Sequence, residues 1–243
     1  MGWWPLGHSI KGPMGPPGPP GPAGEGGGVP QASFDQLEAE VVAARGNRSD
    51  LNRRISAISN FASPNAGGVI AGEYYDNAFH GTANATRAGV ANEINLAPYY
   101  TSQPLRIDEI GVSVSTAVNG SELKLVIYGS TDEGWPDELL FESLPLSSAT
   151  VGYKFEGLDF TFDSGRQYWL GVRHSSTATL RALNLSSAVN LGCNGSNAAN
   201  YFTVLRRTVA FADPAPNPWD FSANQRIANW APNSVRMRAA ALP

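Results

Sequence analysis

Two hydrophobic periods divide this chain. From Ser33 to Ala62 the apolar positions recur at alternating steps of three and four. Phe34, Val41, Arg48, Ile55 and Ala62 fall at heptad position a, and Leu37, Ala44, Leu51 and Ile58 at d. Heptads that run on without a skip predict an α-helical coiled coil over 33–62 rather than a surface helix. Ser33 with Gln36 has the spacing of a capping box, which sets the predicted start. Pro64 with Gly67-Gly68 sets the stop. Arg48 lies in the seam, with its stem packed and its head snorkelling out. Glu40 at g and Arg45 at the next e are placed to pair between helices, and Gly46 falls at f, on the outside.

After Gly68 the period shortens to two. "LRIDEIGVSVST" puts Leu105 and Ile107 on one face, then Ile110, Val112 and Val114, so a bulge is predicted at Asp108-Glu109. "ELKLVIYGS" alternates Leu123, Leu125 and Ile127, and "FEGLDFTF", "RQYWLGVRHS" and "SVRMRAA" follow. Turn-forming stretches lie between them: "VNGSE", "TDEGWPDE", "DSGR" and "CNGSN". Short strands at this spacing predict an all-β head, a β-sandwich or jelly roll, over 73–243, joined to the coil by a linker at 63–72.

A third period precedes the coil. Glycine occupies 12, 15, 18, 21, 24 and 27, with proline in most places between, which marks 12–27 as collagen-like and 28–32 as a linker. The same composition suits a stiff spacer. Beside helices that gather chains, it predicts a triple helix, where only glycine fits at the axis. The heptads leave dimer and trimer open, although β-branched Ile55 and Ile58 disfavour the dimer. The triplets decide for three strands. The expected trimer contacts are Gly12, Gly15, Gly18, Gly21 and Gly24 in the rod, and Phe34, Leu37, Val41, Ala44, Leu51, Ile55 and Ile58 in the coil.

Residues 1–11, "MGWWPLGHSIK", hold an apolar group of Trp3, Trp4, Leu6 and Ile10. A frayed end is one reading. The other, adopted as the expectation, is an anchor that docks into another protein, because adjacent exposed tryptophans are costly in water. The segment lacks the charged n-region and long apolar core of a signal peptide.

Charge and composition narrow the function. Net charge is −4, without a lysine/arginine cluster, which speaks against nucleic acid. No apolar run reaches membrane-span length, so membrane insertion is not expected. Cys193 is the sole cysteine and is read as a buried thiol without a disulfide. His8, His80 and His174 fall in no metal or nucleophile motif, so no catalytic residue, metal or cofactor is expected. Asp132-Glu133 with Asp137-Glu138 has the makings of a glycan-cleaving pair but reads better as a solvated hairpin tip. The same tip, or Asp159 with Asp163, is a weaker candidate for Ca²⁺.

Aromatic residues point to ligand binding. Trp135, Trp219, Trp230, Tyr99 and Tyr100 lie beside prolines or in turn-rich stretches. Such rings either plug the ends of a sandwich or stack on a sugar face. Trp135, between Gly134 and Pro136, is expected to be exposed or packed on a neighbouring subunit. Trp169 and Arg173 face away from Tyr168, Leu170 and Val172 and are expected to point outward, toward a subunit contact.

Residues 105–183 resemble a domain common in tail-fibre proteins of bacteriophages and prophages. Ile107 to Gly111, Gly120-Ser121, Leu125 to Tyr128, Pro136, Leu139-Leu140, Gly152 and Tyr168 to Val172 carry the resemblance. Trp135 departs from it, since relatives tend to have a small residue there. The stalk, ending in "AARGNRSDLNRRI", is also similar to phage fibre stalks. The resemblance implies a homotrimeric virion fibre, made in the host cytoplasm and attached through its N-terminus to another virion protein. Its head would bind a bacterial surface glycan or protein receptor. A capsid or collar decoration fibre, a purely structural head and a glycan-cleaving enzyme are the alternatives.

Overall fold

A single extra residue reconciles the two apolar sets of the longest predicted strand. In the computed structural model, Leu105–Thr116 forms one strand whose register shifts between Ile107 and Glu109. The shift resets the side-chain alternation, so Leu105 and Ile107 share a buried face with Ile110, Val112 and Val114. The structure describes residues 31–45, 69–78, 84–101, 104–194 and 197–241. The anchor residues Trp3, Trp4, Leu6 and Ile10, the collagen-like glycines, Leu51, Ile55 and Ile58 lie outside them, as do His8 and His80.

The described part of the head is an all-β domain of two antiparallel sheets. Its strands are β1 (Tyr74–Asp76), β2 (Ala85–Ala88), β3 (Glu93–Tyr100), β4 (Leu105–Thr116), β5 (Glu122–Ser130), β6 (Pro136–Glu142) and β7 (Leu146–Ser147). They continue as β8 (Gly152–Phe162), β9 (Gln167–His174), β10 (Thr179–Ala182), β11 (Cys193–Asn194), β12 (Asn197–Thr208), β13 (Arg226–Ala228) and β14 (Val235–Ala239). One sheet runs β1-β14-β4-β10-β2, with β8 also on β4. The other runs β11-β12-β3-β9-β5-β6, with β13 on β12 and β7 on β5.

The main core draws on both sheets. Ile107, Val112, Leu180 and Met237 from the first pack with Leu123, Leu125, Leu170 and Val172 from the second. Each such side chain contributes roughly 1.5–3 kcal/mol by leaving water.

The second sheet is buried on its other face too. Ile94, Leu96, Val126, Tyr128 and Trp169 form a separate cluster with Leu205, Ala215 and Trp219. This corrects the outward placement of Trp169 and Arg173, which are each 1% exposed. The chain's own 209–221 stretch covers them. Arg173 donates to the carbonyls of Ala210 (2.9 Å) and Asp213 (2.8 Å) and pairs with Glu142. Glu142 in turn accepts from the Ala215 N–H at 3.0 Å.

Within the span expected to be a coil, the described residues form one helix, α1 (Gln31–Arg45). It begins two residues before Ser33, so the expected capping box at Ser33 and Gln36 is not its start. Pro30 suits a helix entry and favours the earlier beginning. Gln31 Nε2 donates to Asp35 Oδ1 at 2.8 Å, one turn on. Along α1, Phe34, Leu37 and Val41 are 52%, 57% and 42% exposed, and Val42 is 45% exposed.

Candidate functional site

Most of the rings expected to meet a ligand serve the fold. Tyr99 is buried in the main core, edge-on to Phe162 with centroids 5.0 Å apart. Tyr100 is buried as well, which pushes its phenol up to about 12. Trp219 is 2% exposed, edge-on to Tyr128, with its Nε1 donating to Gln225 at 3.0 Å. None of the three offers an open face for stacking, which corrects their assignment as sugar platforms. β3 lies between β12 and β9 in a sheet covered on both sides, so alternate residues both end up inside.

Trp135 is half-buried against its own head. The β5–β6 hairpin tip folds back over its own sheet, and the indole stacks parallel on Phe221 at 3.9 Å. Trp169 is stacked with it at 6.3 Å. Gly134 makes the fold-back possible with a φ of +90°, a conformation that side chains disfavour. Its carbonyl accepts from Gln167 Nε2 (2.6 Å) and Trp169 Nε1 (3.1 Å). Trp135 is therefore a lid on the second cluster.

Trp230 is half-buried and taken by cations. The Arg87 guanidinium lies 3.5 Å from its ring centroid and that of Arg206 5.1 Å. Arg87 comes from β2 and Arg206 from β12, so the indole bridges the two sheets. Burial first draws the Arg87 pKa down to about 10, against the opposing pull of Glu93.

An open ring is found instead at Tyr201, 44% exposed on β12. It borders a cleft of about 350 Å³ with Leu185, Ala188, Asn190, Thr203 and Asn229. Asn229 holds this strand from both sides. Its backbone N–H donates to the Tyr201 carbonyl at 2.9 Å, and its side-chain oxygen accepts from the Tyr201 N–H at 3.4 Å. A φ of +56° at Asn229 aims both groups at the one residue. Thr203 Oγ1 donates to the Trp230 carbonyl at 2.6 Å, tying the cleft to the Arg–Trp contact.

The cleft thus offers an aromatic wall, an apolar side at Leu185 and Ala188, and a rim of amides. That mixture suits an uncharged polar ring, with the apolar face stacked and hydroxyls meeting the rim. Sequence reasoning missed Tyr201. The one available signal was a tyrosine within an alternating strand on the face opposite Phe202, and it does not separate an exposed ring from a covered one.

Several of the carboxylates considered for catalysis or calcium are taken up by arginines. Glu138 pairs with Arg166 at 3.4 Å, and Asp159 with Arg106 at 2.8 Å. Among the described residues no three histidines, cysteines or carboxylates gather as a metal site. The Cys193 side chain lies outside the described part. The chain matches no protein-family model, and no curated protein is similar enough to count as a relative.

Proposed function

We propose that this chain is a homotrimeric phage fibre, anchored by Trp3, Trp4, Leu6 and Ile10 and binding the bacterial surface through its head. Its stalk is a collagen-like triple helix followed by a three-stranded coiled coil. Its head is a β-sandwich that works as a binder rather than an enzyme. The observation that carries the proposal is the exposed stripe of Phe34, Leu37 and Val41 on α1. Those residues sit at a and d positions, directly after glycine triplets that need three chains. A single copy leaves the stripe in water, and two further copies cover it.

The Tyr201 cleft is the reading's sugar site. Three such sites on one stalk turn weak binding into firm attachment. A capsid or collar position uses the same parts and differs only in the anchor's partner. The test is sedimentation of the intact chain at micromolar concentration. An elongated trimer is expected, and a monomer or compact dimer overturns the proposal.

A further inference from the structure

The outer face of the six-stranded sheet treats its arginines unequally. Arg106 is paired with Asp159 at 2.8 Å, and Arg238 with Asp108 at 2.7 Å and Glu109 at 3.5 Å. Arg181 and Arg236 have no carboxylate partner among the described residues. Asp76 stands opposite Arg236 in the β1–β14 register, but its Oδ1 accepts from the Ala78 N–H at 3.0 Å and makes no ion pair with that arginine. Both unpaired arginines line one cleft of about 210 Å³, with Ser113, Ser234, Asn84 and Tyr153.

The cleft is built rather than accidental. Ser113 and Tyr153 are register partners on β4 and β8, so their side chains share the outer face. Two residues along the same pair, Gly111 faces Phe155, and a Cβ at Gly111 would run into that ring. The glycine therefore lets Phe155 lie against the strand, where it stacks near-parallel with Tyr153 at 5.6 Å. Tyr153 stays 48% exposed and holds the Arg236 guanidinium 4.8 Å from its ring centroid. The guanidinium is thus oriented by a ring and left without an anion.

We infer that this cleft binds a sugar carrying an anionic group, whose charge meets Arg181 and Arg236 and whose ring lies along Tyr153. Two guanidiniums without an acid supply the charge complementarity and the forked donors that carboxylates and phosphates take. The exposed ring and the two serines supply what a bare anion does not need. The inference rests on the reading of the head as a glycan binder and adds a second, charge-selective site to it.

The test is retention of the full chain on immobilised alginate, a polyuronate, against immobilised dextran, which is neutral. Retention on alginate alone, released by salt, is expected. Arg181→Gln and Arg236→Gln should each weaken it by roughly tenfold or more, as befits the loss of a charge-assisted contact. Arg181 is exposed and Arg236 half-buried on the outer face of the sheet, so circular dichroism should not move and melting temperature should move little. Elution by free glucuronate or by glucose 6-phosphate, whichever is the more effective, identifies the anionic group. Equal elution by inorganic phosphate or by glucose overturns the inference, as does unchanged retention of the double variant. Sedimentation separates this from the fibre reading. A trimer that ignores anionic sugars overturns the inference alone, and a monomer that binds them overturns the fibre alone.

Discussion

His174 closes β9 with its imidazole against Gly89, where a Cβ would run into the ring. Burial first, and then the nearby Arg87 charge, bring its pKa down from 6.5 to about 4. The unfolded chain takes up this proton as the pH drops through 6.5, whereas the folded chain holds out until about 4. Stability from this residue is complete above pH 6.5 and is lost as the pH falls toward 4, up to about 3 kcal/mol in all. Thermal unfolding across that window should show the loss, and His174→Gln should flatten it. An equally steep slope in the variant would remove His174 as its source.

At the scale of elements, the stretch 209–221 acts as a strap over the back of the second sheet. Arg173 on β9 and Glu142 on β6 hold it down through the Ala210, Asp213 and Ala215 backbone. Burial raises the Glu142 carboxyl, but the Ala215 N–H, Arg173 and Lys124 outweigh it and hold the pKa below its ordinary value. Glu142→Ala leaves the 1%-exposed Arg173 without its anion, a loss of about 3–5 kcal/mol for a buried pair. Adding Arg173→Met should recover part of that loss, because the stranded charge goes too. Urea unfolding of the single and double variants measures the coupling. Strictly additive losses would show that the pair does not act as a unit.

For the whole molecule, the proposed trimer makes affinity a product of copies. In the proposed fibre, stacking of a sugar on Tyr201 would contribute about 1 kcal/mol at one site. The ring is 44% exposed, so Tyr201→Ala should leave the melting temperature where it is. With three sites engaged the losses multiply, and adsorption to bacteria that bind the wild-type chain should fall on the order of 100-fold. Competition by a soluble monosaccharide reads the single-site change, which should be only about fivefold. A fall in adsorption no larger than the single-site change would mean that the three heads do not bind together.

Local periodicity was legible in the sequence because backbone geometry imposes it. The step of two and the helical step each follow from one element's own dihedrals. Hence the strands of the main core, the bulge at Asp108 and the existence of α1 could be read before any contact was known. The start of α1 was misplaced because Ser33 and Gln36 satisfy a capping pattern equally well from inside a helix. What lies over a strand's second face is not local. Trp169 and Arg173 alternate away from the core as read, yet residues some forty positions later cover them. Trp135 closes that cover. Whether an arginine is paired depends on cross-strand register, which brings Asp108 to Arg238 and leaves Arg181 and Arg236 without an acid among the described residues. The sequence by itself determined which elements form. Only the tertiary structure decided which rings and charges remain open, because exposure belongs to the neighbours that folding brings in from far along the chain.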